Sequence, residues 1–197
     1  MTQVPVNPAL ARELADRAGQ SIPRWAGRVC GDLGPDLLRQ VRRADQVHAR
    51  FLRQVLDKFR WPGWRLVGDD ACHAAYLLAL HADDDPRLQA TAATLLHEAV
   101  RAGDASPRDL AHLKDRALVN SHQPQEFGTQ YRLGAGGPER CPVSQPALLD
   151  ARRAGAGLSP AARALAALQE RIASGPGPRS CLPGDGSAVL DAAADAA

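Results

Sequence analysis

Between Pro35 and Phe59 the apolar residues Leu37, Leu38, Val41, Ala44, Val47, Phe51, Leu52, Val55, Leu56 and Phe59 return every third or fourth position. That period is the turn of an α-helix, and it commits this stretch to an amphipathic helix that must bury one side. Pro35 suits the first turn, and Trp61-Pro62-Gly63-Trp64 stops the pattern. The rest of the chain is built the same way. Ala, Leu and Arg dominate while Val, Ile and aromatics are scarce, a balance that favours helix because unbranched side chains lose little rotamer freedom there.

Capping signals divide the chain further. Pro8 opens a short helix over about residues 8–19, followed by an irregular link holding Pro23, Trp25 and Gly27. Asp69-Asp70 is read as the N-cap of a helix over about 71–82, apolar on nearly every side through Ala74, Ala75, Leu77, Leu78 and Leu80. A helix of that kind is expected at the centre of the bundle. Asp85-Pro86 starts a helix ending near Gly103, and Ser106-Pro107-Arg108-Asp109 starts one reaching about Val119. Phe127 to Tyr131 is the one stretch that suits an extended chain, and Gly134 to Pro146 reads as a surface loop. A last helix spans about 160–173. The tail of residues 174–197, rich in Gly, Pro and Ala, is expected to be disordered because it has too little apolar surface to offset ordering. The expectation is an all-α bundle of about five to six helices in one domain, residues 1–173, with a short extended or loop segment near 126–146.

Charge and cysteines narrow the class of function. A net charge of +2 with interleaved signs leaves no electrostatic footprint for nucleic acid, so no nucleic-acid partner is expected. The basic pairs Arg42-Arg43 and Arg152-Arg153 read as solvated helix faces. Cys30, Cys72, Cys141 and Cys181 show no Cys-x-x-Cys spacing, which points away from zinc and redox motifs and toward free thiols in a reducing cytoplasm. MTQVPVNPALARELADR has no signal-like apolar run, and the stretch Ala74 to Leu80 is too short for a bilayer, so neither export nor a membrane partner is expected.

Against this background a few polar residues fall where a helical core should be apolar. His81 continues the stripe of Ala74, Leu77 and Leu78, in the last turn where the helix dipole favours a protonated imidazole. His48 interrupts the stripe of Val41, Ala44, Phe51 and Val55, with Asp45 one turn earlier. Such histidines near carboxylates suit general acid–base chemistry, and they equally suit satisfied core positions with one partner each. His81-Ala82-Asp83-Asp84-Asp85-Pro86 resembles a metal cluster at first sight, yet Asp85 is better spent as an N-cap. The two ligands left over do not make a metal site. Asp115-Arg116 is compatible with a simple surface pair, Gln89 reads as the edge of an inward face, and Gly128-Thr129-Gln130 as a flexible turn able to present backbone N–H groups. Phosphate-binding loops and Gly-x-Ser-x-Gly elbows are absent.

Several of these segments together resemble a bacterial family known as domain of unknown function 6624. They are Trp61-Pro62, Leu66 to Ala71, Ala74-Ala75, His81-Ala82-Asp83, Asp85-Pro86, Gln89, Asp115-Arg116, Gly128-Thr129-Gln130, and Asp150 to Pro160 with Arg152-Arg153 and Gly157-Leu158. The likeness covers roughly residues 35–160. It implies that His81, Asp83, Gln89, Asp115, Arg116 and Gln130 form one shared constellation. Where the family usually has Asn on the long helix, this chain has His48, which assigns His48 to lining or tuning a pocket and leaves His81 as the better catalytic candidate.

The expected function is therefore a cofactor-independent small-molecule enzyme performing hydrolysis, elimination or isomerisation, with bacterial specialised metabolism as its expected setting. His81 would act as acid or base, oriented by Asp83 or Asp115. Asp45, His48, Gln89, Arg116, Thr129 and Gln130 would hold a polar or anionic substrate, and neither metal nor cofactor is expected. The alternative is a non-catalytic helical module that binds a metabolite, a peptide or a partner protein, in which the same residues form a buried hydrogen-bond network fixing helix register.

Overall fold

The caps written into the sequence mark where most helices begin. In the computed structural model, which describes residues 5–30, 34–134, 136–174 and 189–191, the Asn7 side chain accepts the Leu10 amide at 3.0 Å and Pro8 opens helix α1 (Pro8–Cys30). Helix α2 (Pro35–Phe59) follows, then the short α3 (Trp64–Val67) and α4 (Asp69–Leu80). Asp85 accepts the Leu88 amide to start α5 (Pro86–Arg101), and Ser106 accepts the Asp109 amide to start α6 (Pro107–Asn120). Strands β1 (Gln130–Gly134) and β2 (Gly137–Arg140) come next, then a 3-10 turn, α7 (Leu149–Gly155), α8 (Ala161–Ser174) and β3 (Val189–Asp191). The described residues thus form eight α-helices and a small antiparallel sheet of order β2-β1-β3, a mostly α-helical fold.

Helix α4 is the hub. Ala71, Cys72, Ala74, Ala75, Tyr76, Leu78, Ala79 and Leu80 are all buried, and α1, α2, α3, α5 and α6 pack around it. Its many alanines let neighbouring helices approach closely, while Leu14, Leu52, Leu96 and Leu113 fill the space between them. Truncating any of these leucines to Ala is expected to cost about 2–5 kcal/mol. The turn before α3 is clamped from a distance. Asp104 accepts the Trp64 amide on its carbonyl and the Arg65 amide on its carboxylate, both at 2.9 Å. A Cβ at Gly63 would collide with that same aspartate, so the position needs glycine.

Four local expectations are corrected. The link expected after residue 19 is helical, since α1 runs on through Pro23 to Cys30. Leu10, Leu14, Ala18 and Ser21 are buried at helical spacing along it, so packing against α4 outweighs the roughly 3 kcal/mol that an internal proline costs. The cap of α4 is Gly68 (φ 80°), and no side chain caps it. Asp69 and Asp70 instead occupy the first turn, where they complement the helix dipole. The loop expected from Gly134 to Pro146 contains β2, paired through Leu133–Pro138 and Gly134–Gly137 across a tight hairpin. Of the tail, Ser174 closes α8 and Val189–Asp191 pairs with β1, while residues 175–188 and 192–197 lie outside the described residues.

One ion pair joins the hub to α6 on the surface. His73 Nδ1 lies 3.0 Å from Asp109 Oδ2, and this hydrogen bond raises the His73 pKa above its ordinary 6.5 against the opposing pull of partial burial. Because folding raises the pKa, the contribution is complete below about pH 6.5 and is lost as pH climbs through the folded value. The pair is half exposed and contributes no more than about 1 kcal/mol. Denaturant melts of wild type and His73→Gln should differ most near pH ~5.5 and coincide near pH ~8.5. A gap independent of pH would remove the ion pair as its cause.

Candidate functional site

Helix α4 ends at Leu80, His81 is its C-cap (φ −83°, ψ 0°), and residues 81–85 turn the chain into α5. Such a junction leaves the last carbonyls of one helix without intrahelical donors. Gln89, one turn into α5, supplies them: its amide nitrogen donates to Leu80 O at 3.0 Å and to Ala79 O at 3.3 Å. The glutamine expected at the edge of an inward face is wholly buried and acts as a side-chain cap for α4.

Asp83 stands in the middle of the turn and is held from α6. Arg116 donates to it in a two-pronged pair, Nε to Oδ1 at 2.8 Å and Nη2 to Oδ2 at 2.6 Å. Asn120 lies one helical turn on and therefore on the same face. It donates to Asp83 Oδ1 at 2.9 Å and to Gln89 Oε1 at 2.9 Å. The third prong of the guanidinium reaches Gln130 Oε1 at 3.2 Å, which ties the turn to β1. Arg116 is only 4 % exposed as a side chain and Asp115 is wholly buried, so the two are not a simple surface pair.

Asp115, next to Arg116 on α6, points into a separate cradle. Its carboxylate accepts the amides of Glu126 (2.8 Å), Phe127 (3.0 Å) and Thr129 (2.9 Å) and the Thr129 hydroxyl (2.9 Å). Burial pushes its pKa above the usual carboxylate range, while these donors pull the other way. Thr129 Oγ1 in turn accepts from Gln130 Nε2 at 3.0 Å, closing the circuit with Arg116. Gln125 completes it by mimicking a strand. Its side chain donates to Gln130 O and Cys141 O and accepts from Gln130 N, at 2.8–3.0 Å.

The structure thus joins Asp83, Gln89, Asp115, Arg116, Thr129 and Gln130 in one network. The other three candidates stand on α2 and at the end of α4. His81 is buried and its Nδ1 lies 3.1 Å from Ser21 Oγ on α1, a partner the sequence did not suggest. His48 is buried on α2, one turn from the half-buried Asp45. Asp45 lines a cleft of about 230 Å³, with Arg50 and Arg53 on the α2 side and Ala82, Asp84 and Asp85 opposite. Arg53 pairs with Asp85 across it. Among the described residues, no group of three or more His, Cys, Asp or Glu side chains is placed to hold a metal ion. Cys72 and Cys141 are buried free thiols, and burial pushes the Cys72 pKa up to about 12, which removes it as a nucleophile.

Sequence reasoning missed Asn120, Gln125 and Ser21. Only Asn120 carried a local signal, its helical spacing from Arg116. The pair Arg152-Arg153 was misread as a solvated face. Arg153 is buried and donates to Ser159 O and Phe127 O, both at 2.6 Å. Arg152 donates to Ser144 O at 2.6 Å and Glu126 O at 2.7 Å. Both serve backbone carbonyls of the loops that follow α6.

The network makes a stability prediction. Asp83→Ala would leave Arg116 buried without its counter-charge and should cost about 3–5 kcal/mol in denaturant unfolding. Combining Asp83→Leu with Arg116→Met should recover at least about half of that loss. Single variants costing under ~1 kcal/mol would show that the pair is not integral to the fold.

No curated protein and no solved structure matches the chain. Among the described residues, no helix is long and apolar enough to cross a membrane. A model for a family of unknown function, DUF6624, matches residues 9–173 and takes in every residue of the network, and the chain belongs to that family.

Proposed function

We propose that this chain is a non-catalytic helical module that binds a small polar ligand in the cleft between α2 and the turn of residues 81–85. One observation carries this reading: Asp83 and Asp115, the carboxylates expected to orient His81, have their oxygens aimed at Arg116, Asn120 and Gln89 and at the 126–129 backbone. Residues engaged in this way hold a wall rather than move protons. The wall they hold is the turn bearing Ala82, Asp84 and Asp85, opposite Asp45, Arg50 and Arg53. A cleft with both signs of charge favours a ligand carrying both an ammonium and a carboxylate, such as a free amino acid or a short peptide.

A second reading, proton transfer by His81 on a small substrate, is favoured by the Ser21 contact at 3.1 Å. A side-chain partner of this kind can fix the imidazole tautomer that acid–base work requires.

Thermal shifts with a panel of amino acids and dipeptides test the choice. The wild type should gain several degrees from a saturating zwitterion. Asp45→Asn combined with Arg50→Gln should keep its own melting temperature within about 4 °C, since Arg50 is exposed and Asn is isosteric with the half-buried Asp45, and lose that gain. His81→Asn should keep the gain. A panel without any shift, or a shift indifferent to Asp45 and Arg50, overturns the module. A shift lost in an equally stable His81→Asn moves the assignment to the catalytic reading.

A further inference from the structure

A second polar centre lies on the far side of β1 from the Asp83–Arg116 pair, and it is built in the opposite way. Tyr131 is wholly buried, and its hydroxyl has no hydrogen-bond partner. Arg140, paired with Tyr131 across β1–β2, has its guanidinium carbon 5.7 Å from the Tyr131 ring centre. Its Nε is buried and likewise without a partner, while Nη2 donates to Ala161 O at 3.1 Å. Arg153 approaches from α7, buried, with all its hydrogen bonds on the carbonyls of Ser159, Phe127 and Gly128. Neither guanidinium forms an ion pair with any carboxylate among the described residues. Burial lowers the Arg153 pKa from its ordinary value and Arg140 adds to that effect, while Tyr131, Asp150 and Asp115 pull the other way through space.

Asp150 and Asp115 act on Arg153 only through space, without a direct ion pair, and the two buried donors beside it have no acceptor, which is costly. Each unsatisfied buried group costs about 1–3 kcal/mol, and an uncompensated charge costs more. Both groups lack the same thing, a negatively charged acceptor. The arms meet at Gly128: Arg153 Nη1 lies 3.4 Å from Gly128 O, and a Cβ on Gly128 would stand 3.2 Å from Arg140 Cδ and 3.3 Å from Leu149. Surroundings this tight, around a glycine with φ 64°, suit a single atom rather than a bulky oxyanion.

We propose that a small monovalent anion of chloride size binds between Tyr131, Arg140 and Arg153, accepting from the Tyr131 hydroxyl and Arg140 Nε and offsetting one of the two guanidinium charges. The ion is structural: it holds the β1–β2 hairpin against α7 and is separate from the cleft on α2.

The full chain should show a melting temperature that rises with sodium chloride by a few degrees and then saturates, at ionic strength held constant with sodium gluconate. Bromide should substitute, and the larger gluconate and sulfate should not. Tyr131→Phe should lose most of the chloride-dependent rise, while Arg132→Gln, an exposed neighbour on the same strand, should keep it. Should Tyr131→Phe not fold, chloride-35 NMR linewidths on the wild type decide, with broadening that bromide reverses expected from a bound ion. A melting temperature indifferent to the anion, a non-saturating rise shared by Tyr131→Phe, or an unbroadened chloride line would overturn the proposal and leave the donors to water.

Discussion

A guanidinium taken out of water loses several kcal/mol of hydration, and Arg116 is almost entirely enclosed. The bidentate contact with Asp83 makes that position tolerable, and the geometry it demands spreads outward. Asp83 lies in the turn between α4 and α5, so forming the pair sets where the hub ends and where the next helix leaves it. Gln89 and Asn120 fill the remaining acceptor and donor positions. The Arg116 contact with Gln130 extends the same constraint to the sheet. An ion pair of this type contributes little to net stability against an apolar replacement, but it penalises any packing that separates its members.

Helix α6 is consequently the spine from which two loops are hung. Successive residues on a helix diverge by about 100°, so Asp115 and Arg116 serve different neighbours. Arg116 takes the 81–85 turn, whose exposed group is a carboxylate. Asp115 takes the 126–129 turn, whose exposed groups are backbone amides. An irregular segment that leaves the surface must place its N–H groups somewhere. Four donors on one aspartate achieve this without a strand or a helix. The cradle then orients Gln130 so that its side chain meets Arg116 and its backbone meets Gln125.

Most of the fold was legible because helical periodicity and capping are local. Asp85 and Ser106 cap as their spacing implies, and α4 is central because it is apolar all round. The misread segments are those where a distant partner overrides a local signal. Pro23 suggests a break, but the buried stripe of Leu10, Leu14, Ala18 and Ser21 carries α1 onward. Arg152-Arg153 looks solvated from its neighbours, yet among the carbonyls it serves are those of Glu126 and Phe127, more than twenty residues away in the chain. The polar constellation was legible as a set and illegible in its roles. Nothing in Asp115 itself tells a base from a clamp; the 126–129 amides do, and their position depends on the fold.

Two ways of burying arginine coexist within a short distance on either side of β1. Arg116 has a carboxylate in the chain, so its neutrality is fixed by sequence. Arg153 and Arg140 hydrogen-bond only to carbonyls, which orient a guanidinium without cancelling its charge, and the carboxylates nearest Arg153 act on it only through space. The difference decides how each side responds to its surroundings. A covalently anchored counter-ion is always present and is insensitive to the medium, whereas a diffusible one makes the hairpin's stability follow solution composition. The hairpin shares Gln130 and Tyr131 between both sides, since Gln130 belongs to the Arg116 network and Tyr131 to the arginine pair. Strand alternation places these adjacent residues on opposite faces, so one short strand separates the permanent electrostatic contact from the exchangeable one.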